Sequence, residues 1–282
     1  MRFGMNLLLW TADMHDGMLP ILEKLKAIGY DGVEVPIFDL NPKKFAAWGK
    51  RLDDLGLART AVTVRASADN PISPDPKIRA AGVANNKLVL DCCQAAGCEL
   101  LCGPYHSALG EFSGKGPTPD EWKWGVDSMR QVAEHAEKTG VMLAMEYLNR
   151  FECYFLTCAA DMMRFVDDVG HKSCRMMYDT FHANIEEKDI AQTIKQCAEH
   201  TVHVHISEND RSTPGQGHVP WSVTFDALRQ TGYDAWMVVE AFGLALPELA
   251  AATKIWRRMF ENEEQLARES LTFMQENTRK RG

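Results

Sequence analysis

The sequence predicts an α/β fold, a single (β/α)8 barrel, and three observations carry that prediction. Short apolar runs alternate with amphipathic stretches of helical length at a period of about thirty to thirty-five residues. Eight such pairs fit within 282 residues, a length suited to one barrel with a closing segment. Four consecutive runs in the second half also end in a residue able to bind a metal, at Glu146, Asp179, His205 and Glu240.

The first strand is placed at 3–10, and the helix at 18–28 stops at Gly29, a left-handed cap candidate. A strand at 31–37 leads to a helix at 42–55 that opens on Asn41-Pro42, a capping residue followed by proline in the first turn. Strand 58–65 is followed by helix 77–96, and strand 99–104 by helix 119–139. In Thr118-Pro119-Asp120-Glu121 the acid three residues after threonine completes a capping box, and Gly140 closes that helix. Strands at 141–147, 174–179, 201–206 and 235–240 alternate with helices at 159–169, 187–199, 222–231 and 248–278, with Gly232 as a further cap candidate. The loops at 66–76, 105–118 and 209–221 follow strands and belong to the catalytic end of the barrel. One domain is expected over 1–282. Its stretch 248–282 would form the closing helix or helices, in which Leu249, Ile255, Trp256, Met259, Phe260, Leu266, Leu271 and Phe273 would cover the first and last strands or meet a second subunit.

Composition narrows the function classes. With 45% hydrophobic and 25% charged residues the chain is of ordinary globular type. A net charge of −8 argues against nucleic acid or an anionic membrane as the main partner, and a neutral small molecule fits. The run from Met1 to Trp10 is too short for a signal-peptide core, and 18 uncharged apolar residues never run together, so the expectation is a cytoplasmic protein. Eight cysteines in such a chain read as reduced core thiols, and the cluster Cys92, Cys93, Cys98 and Cys102 contains no C-x-x-C pair of the kind that holds zinc.

Glu146, Asp179, His205 and Glu240 are separated by 33, 26 and 35 residues, one strand-helix unit each, so a barrel brings them into one ring at its C-terminal mouth. A lone carboxylate after a strand is commonly a helix cap and a lone strand histidine a packed core residue. Four together imply a site, because unpartnered acids are costly to bury. Three carboxylates and one imidazole suit Mn2+, Mg2+ or Co2+, with zinc also open. Glu152, His182 and Arg211 lie six, three and six residues beyond ligand positions. His182 and Arg211 could polarise a carbonyl oxygen, and Glu152 could accept from a hydroxyl or pair with Arg211. In Val202-His203-Val204-His205, His203 shares the face of His205 about 6.6 Å deeper and reads as a packed or supporting residue.

The segments Glu146-Tyr147-Leu148-Asn149-Arg150-Phe151-Glu152, Asp179 to Glu187, His203 to Arg211 and Glu240-Ala241-Phe242 resemble the ketose 3-epimerases of the xylose isomerase-like barrel superfamily. The resemblance runs from Gly29 to Trp256 and is most specific in the second half. It implies one divalent metal, usually manganese, on Glu146, Asp179, His205 and Glu240, with Glu146 and Glu240 doubling as the acid/base pair. It places Glu152, His182 and Arg211 at the O1/O2 end of the sugar, and it implies a homodimer or homotetramer. Chemistry at C3 next to a ketone then needs no organic cofactor. Trp10, Ser67, Tyr105 and His106 are candidates for the O4 to O6 end, with Tyr105-His106 also readable as an exposed loop pair, and Glu34 is a candidate supporting acid. Competing readings are an aldose-ketose isomerase, a phosphodiesterase or nuclease of the same superfamily, which the negative charge disfavours, and a noncatalytic sugar-binding barrel, which the Glu146/Glu240 pair argues against.

Overall fold

A computed structural model describes residues 1–279. Eight parallel strands close into a barrel in sequence order: β1 (Arg2–Asn6), β2 (Gly32–Pro36), β3 (Ala58–Val62), β4 (Leu100–Gly103), β5 (Met142–Met145), β6 (Cys174–Asp179), β7 (Thr201–Ile206) and β8 (Trp236–Val239). Closure is made by β1 against β8, with Arg2 opposite Trp236 and Met5 opposite Val239. The connecting helices are α1 (Leu19–Ile28), α2 (Pro42–Asp54), α3 (Pro76–Ala96), α4 (Pro119–Thr139), α5 (Ala159–Val169), α6 (Thr180–Glu186), α7 (Ile190–Cys197) and α8 (Trp221–Gln230), and α9 (Pro247–Thr253) and α10 (Glu263–Thr278) follow β8.

The local signals act where the sequence placed them. Asn41 caps α2 by accepting from the Lys44 amide, Thr118 and Glu121 form the reciprocal box that starts α4, and Gly29 and Gly140 end α1 and α4 in the left-handed conformation. Apolar helix faces and the outer faces of the strands make one continuous core, and a second cluster that includes Val62, Leu100, Cys102, Ala144, Met177, Trp236 and Val238 fills the barrel interior. Gly32 makes room for that filling, since a Cβ there would lie 2.7 Å from the Trp236 indole and 2.2 Å from the Ala58 carbonyl oxygen. All eight cysteines are free thiols, and seven are buried, as core residues should be. Among the described residues no helix is long and apolar enough to cross a membrane.

Three departures from expectation have physical causes. β1 stops at Asn6 because the Asn6 side chain accepts from the Leu8 amide and turns Leu7–Leu9 into a buried 3-10 turn. α6 follows β6 at once because Asp179 caps it. The closing segment is two helices joined by an irregular 254–262 stretch with Lys254 at φ 62°, and its last residues, 280–282, lie outside the described residues. Leu266, Ala267, Leu271 and Met274 cover the barrel between α1 and α8, whereas Trp256 stands 72% exposed, off the face assigned to it.

Gly103 ends β4 at φ +115°, and a Cβ there would sit 2.2 Å from the Thr63 carbonyl oxygen. Its own carbonyl accepts from the Glu146 amide at 3.1 Å. Gly103→Ala should destabilise the barrel by about 3 kcal/mol and lower Tm by on the order of 10 °C. Calorimetry returning a Tm within about 2 °C of wild type would show that the backbone there accommodates a side chain.

Candidate active site

Glu146 and Glu240 sit one residue past β5 and β8, Asp179 is the last residue of β6, and His205 is the penultimate residue of β7. The barrel therefore brings all four to its mouth, where they offer one ligand atom each within 4.8 Å of one another. His205 Nδ1 lies 3.4 Å from Asp179 Oδ2, 3.4 Å from Glu240 Oε1 and 4.0 Å from Glu146 Oε1. Glu146 Oε1, Asp179 Oδ2 and His205 Nδ1 are buried and have no hydrogen-bond partner. Hydrogen bonds do not explain that convergence, whereas donors about 3 to 4 Å apart are what a cation bonded at about 2.1 Å needs around it. The residues fit a divalent metal.

Asp179 serves two roles that seemed alternatives in the sequence. Its Oδ1 accepts from the Phe181 amide at 2.6 Å and the His182 amide at 3.0 Å, capping α6, and its Oδ2 faces the ring. The Thr180 hydroxyl donates to the Ser207 carbonyl at 2.7 Å and accepts from the Ser207 amide at 2.8 Å, fixing the ends of β6 and β7 together.

A second group, Glu34, Cys102, His203 and His205, lies beneath the ring. Apart from the ion-pair contact of His203, its contacts are hydrogen bonds. His205 Nε2 is 2.7 Å from Glu34 Oε1, His203 Nε2 is 2.8 Å from Glu34 Oε2, and Cys102 Sγ donates to the same oxygen at 3.1 Å. Asn6 Nδ2 donates to Glu34 Oε1 at 3.0 Å and the Thr60 hydroxyl to Oε2 at 2.8 Å. Glu34 is thus an acceptor ringed by donors. By holding the Nε2 side of His205 it leaves Nδ1 turned toward the three carboxylates.

Burial pushes the Glu146 carboxyl well above its usual range, and the neighbouring Glu240 charge adds to the shift. Burial likewise lifts Glu240, to about 7, against the lowering charges of His205 and Arg211. Asp179 is held below the usual range, because although burial opposes ionisation, the neighbouring His182, His205 and Arg211 outweigh it.

Arg211 adopts φ +63°, and the left-handed turn sends its side chain back into the mouth. Its guanidinium lies 3.7 Å above the Phe181 ring. Nη1 donates to Glu240 Oε2 at 2.5 Å and to Ser207 Oγ at 3.1 Å. Nη2 is 3.2 Å from His182 Nε2. His182 Nδ1 accepts from the Asn149 amide at 2.9 Å, and burial lowers its pKa to about 4, so the neutral ring carries its proton on Nε2. Two N–H groups cannot bond each other, so His182 Nε2 and Arg211 Nη2 stand side by side as donors, with Glu146 Oε1 3.6 Å from His182 Nε2. Glu152 Oε1 accepts from Asn149 Nδ2 at 2.9 Å and stands 4.0 Å from Arg211 Nη2, a loose form of the anticipated ion pair.

The proposed distal residues are placed differently. Tyr105 and His106 are fully buried, not an exposed pair, and the Tyr105 hydroxyl donates to the Leu101 carbonyl at 3.1 Å. His106 Nε2 donates to the Glu146 carbonyl at 2.8 Å, and its Nδ1 then accepts from Ser107 Oγ at 3.0 Å, so neither nitrogen is free for a sugar hydroxyl and the ring instead props the Glu146 peptide. Trp10 lines a groove of about 380 Å³ between α1 and α10 with Ile21, Lys24 and Ala267. Ser67 is exposed at the start of a 3-10 turn. Asn6, Asn149, Ser207 and Glu208 were absent from the sequence-based site. All four are buried polar residues, and Ser207 and Glu208 lie inside the segment that carries His205 and Arg211.

The chain is similar along its length to proteins of known kind. The family described as xylose isomerase-like TIM barrel matches residues 22–277. An L-ribulose 3-epimerase of Mesorhizobium japonicum is 30% identical over 97% of this chain and 93% of its own. A probable ketose 3-epimerase of Synechocystis sp. is 28% identical over 98% of this chain and 96% of its own. The crystal structure of a D-allulose 3-epimerase from Methylomonas sp. in complex with D-allulose superimposes with a TM-score of 0.92 at 26% identity, covering 98% of this chain and 97% of that one.

Burial lowers His106 from 6.5 to about 4, against the raising effect of its bond to the Glu146 carbonyl. The unfolded chain therefore takes up a proton that the folded one refuses, and stability present above pH 6.5 is lost as pH falls toward 4. Chemical denaturation of His106→Gln across that window should show a loss smaller than that of wild type by roughly 3 kcal/mol. Equal losses would mean that His106 titrates normally.

Proposed function

The chain belongs to the xylose isomerase-like TIM-barrel family and, within it, to the ketose 3-epimerases, and from that premise we propose that it inverts C3 of a free ketose at the Glu146, Asp179, His205 and Glu240 centre with one divalent metal bound. The observation that carries the reading is a ring holding two glutamates three strands apart, both with carboxyls raised by burial, beside the paired donors His182 and Arg211. Pairs such as D-fructose and D-allulose, or D-tagatose and D-sorbose, are the substrates it suits. The D-psicose and L-ribulose 3-epimerases among its relatives support that class.

Inversion at a carbinol carbon beside a ketone requires a proton to leave C3 on one face and another to arrive on the opposite face. One of Glu146 and Glu240 removes it and the other delivers, with the roles exchanged for the opposite epimer. Burial raises both carboxyls, toward the range in which a carboxyl group can give as well as take a proton. His182 Nε2–H and the Arg211 guanidinium donate to oxygens at the O1/O2 end, where negative charge develops as C3 loses its proton. Glu152 accepts from a hydroxyl at that end. A divalent ion on Glu146, Asp179, His205 and Glu240 would supply Lewis-acid polarisation of the ketone and balance that charge. The oxygen-rich donor set favours Mn2+, with Mg2+ or Co2+ able to substitute, and no organic cofactor takes part. Eight free thiols suit a reducing cytoplasm.

Protein loaded with Mn2+ and incubated with free ketoses in D2O should place deuterium at C3. Label confined to C1 of the ketose or C2 of an aldose would replace the epimerase reading with an aldose-ketose isomerase. Glu240→Gln should keep the fold and lose exchange from one face, and near wild-type turnover would remove Glu240 from the mechanism. Arg211→Lys keeps a charge but loses the planar fork, and kcat/KM should fall by about 10²-fold.

A further inference from the structure

The loop from β7 to α8, which carries Arg211, is wrapped around a carboxylate to which the reaction above gives no role. Glu208 is fully buried. Its Oε1 accepts from the Asn209 and Val219 amides, each at 3.1 Å, and its Oε2 accepts from the Gly215 amide at 2.7 Å and from the Trp221 indole at 2.8 Å. Its backbone carbonyl accepts from the Arg211 amide at 3.0 Å, closing the turn in which Arg211 takes φ +63°. Four N–H donors, from the start, middle and end of the loop and from Trp221 at the head of α8, converge on the one side chain. The fit is close, because a Cβ on Gly217 would lie 2.6 Å from Glu208 Cδ and 2.1 Å from Asn209 Oδ1.

We infer that Glu208 is a positioning residue for the epimerisation: it templates the β7–α8 loop so that the Arg211 guanidinium reaches Glu240 and stands beside His182. Two arguments lead there. A carboxylate accepting four N–H groups fixes the loop far more tightly than its sequence of small and polar residues would. Arg211 in turn depends on the loop backbone for direction, since a left-handed non-glycine residue persists only where its surroundings enforce it. The alternative is that Glu208 merely stabilises the barrel and Arg211 is held by its own contacts with Phe181, Ser207 and Glu240.

The inference rests on the role proposed for Arg211, and a double-mutant cycle separates the two. With Mn2+-loaded enzyme and D-allulose, Arg211→Ala should lower kcat/KM by about 10²- to 10³-fold. Glu208→Gln, which keeps the shape but swaps an acceptor for a donor, should lower it by at least about 10-fold, yet by less than about 2-fold when added to Arg211→Ala. Gly217→Ala keeps the carboxylate but displaces the loop around it, and should behave in the same way. Equal losses in both backgrounds would reduce Glu208 to a stabilising role and overturn the inference. If Arg211→Ala alone leaves kcat/KM unchanged, the role proposed for Arg211 fails, and that of Glu208 fails with it. A readout independent of turnover is the 15N resonance of the Arg211 Nε–H, assigned by its loss in Arg211→Ala. It should shift or broaden in Glu208→Gln and Gly217→Ala while Tm shows both to be folded. An unchanged resonance in the folded variants overturns the inference even if no ketose is turned over.

Discussion

The site depends on acidic groups being held close together away from bulk solvent. Glu146, Asp179 and Glu240 are each at most 5% exposed, and all three converge on Nδ1 of a single imidazole. Such an arrangement is unfavourable unless something positive sits among the carboxylates. Arg211 supplies part of that charge at the rim, and the orphaned oxygens mark where more belongs. The other features of the mouth serve the same constraint: Asp179 is fixed through the helix it caps, His205 through Glu34, and the Glu146 peptide through Gly103 and His106.

The barrel and the ring were legible in the sequence for a reason particular to this fold. Each βα unit repeats the same vertical position, so equivalent strand ends become spatial neighbours whatever the connecting helix contains. Glu146, Asp179, His205 and Glu240 therefore carried their geometry in their spacing. His203 was separable from His205 by the same logic, since two residues along a strand is one layer deeper.

What lay outside that logic was harder to read. The contacts of Trp10 and His106 do not follow from their closeness to strand ends. The chain there follows hydrogen bonds that no periodicity encodes: Asn6 bends β1 into a turn, and the Glu146 carbonyl and Ser107 take both nitrogens of His106. Glu208 was hidden in full view, because a glutamate in a polar loop looks solvated until its four N–H partners, drawn from positions up to thirteen residues away, are brought around it.

The grip of Glu34 on His205 would have a thermodynamic consequence for any metal ion bound by the ring. With Nε2 tied to a carboxylate that is itself held by Asn6 and Thr60, the imidazole has no rotamer left to lose. Freezing a free side chain costs about 0.5–1.5 kcal/mol at the moment of binding. Here that disorder was removed when the barrel closed, as it was for Asp179 in its cap. An ion entering the ring would meet His205 and Asp179 already ordered, so little of its binding free energy would be spent on fixing those two side chains.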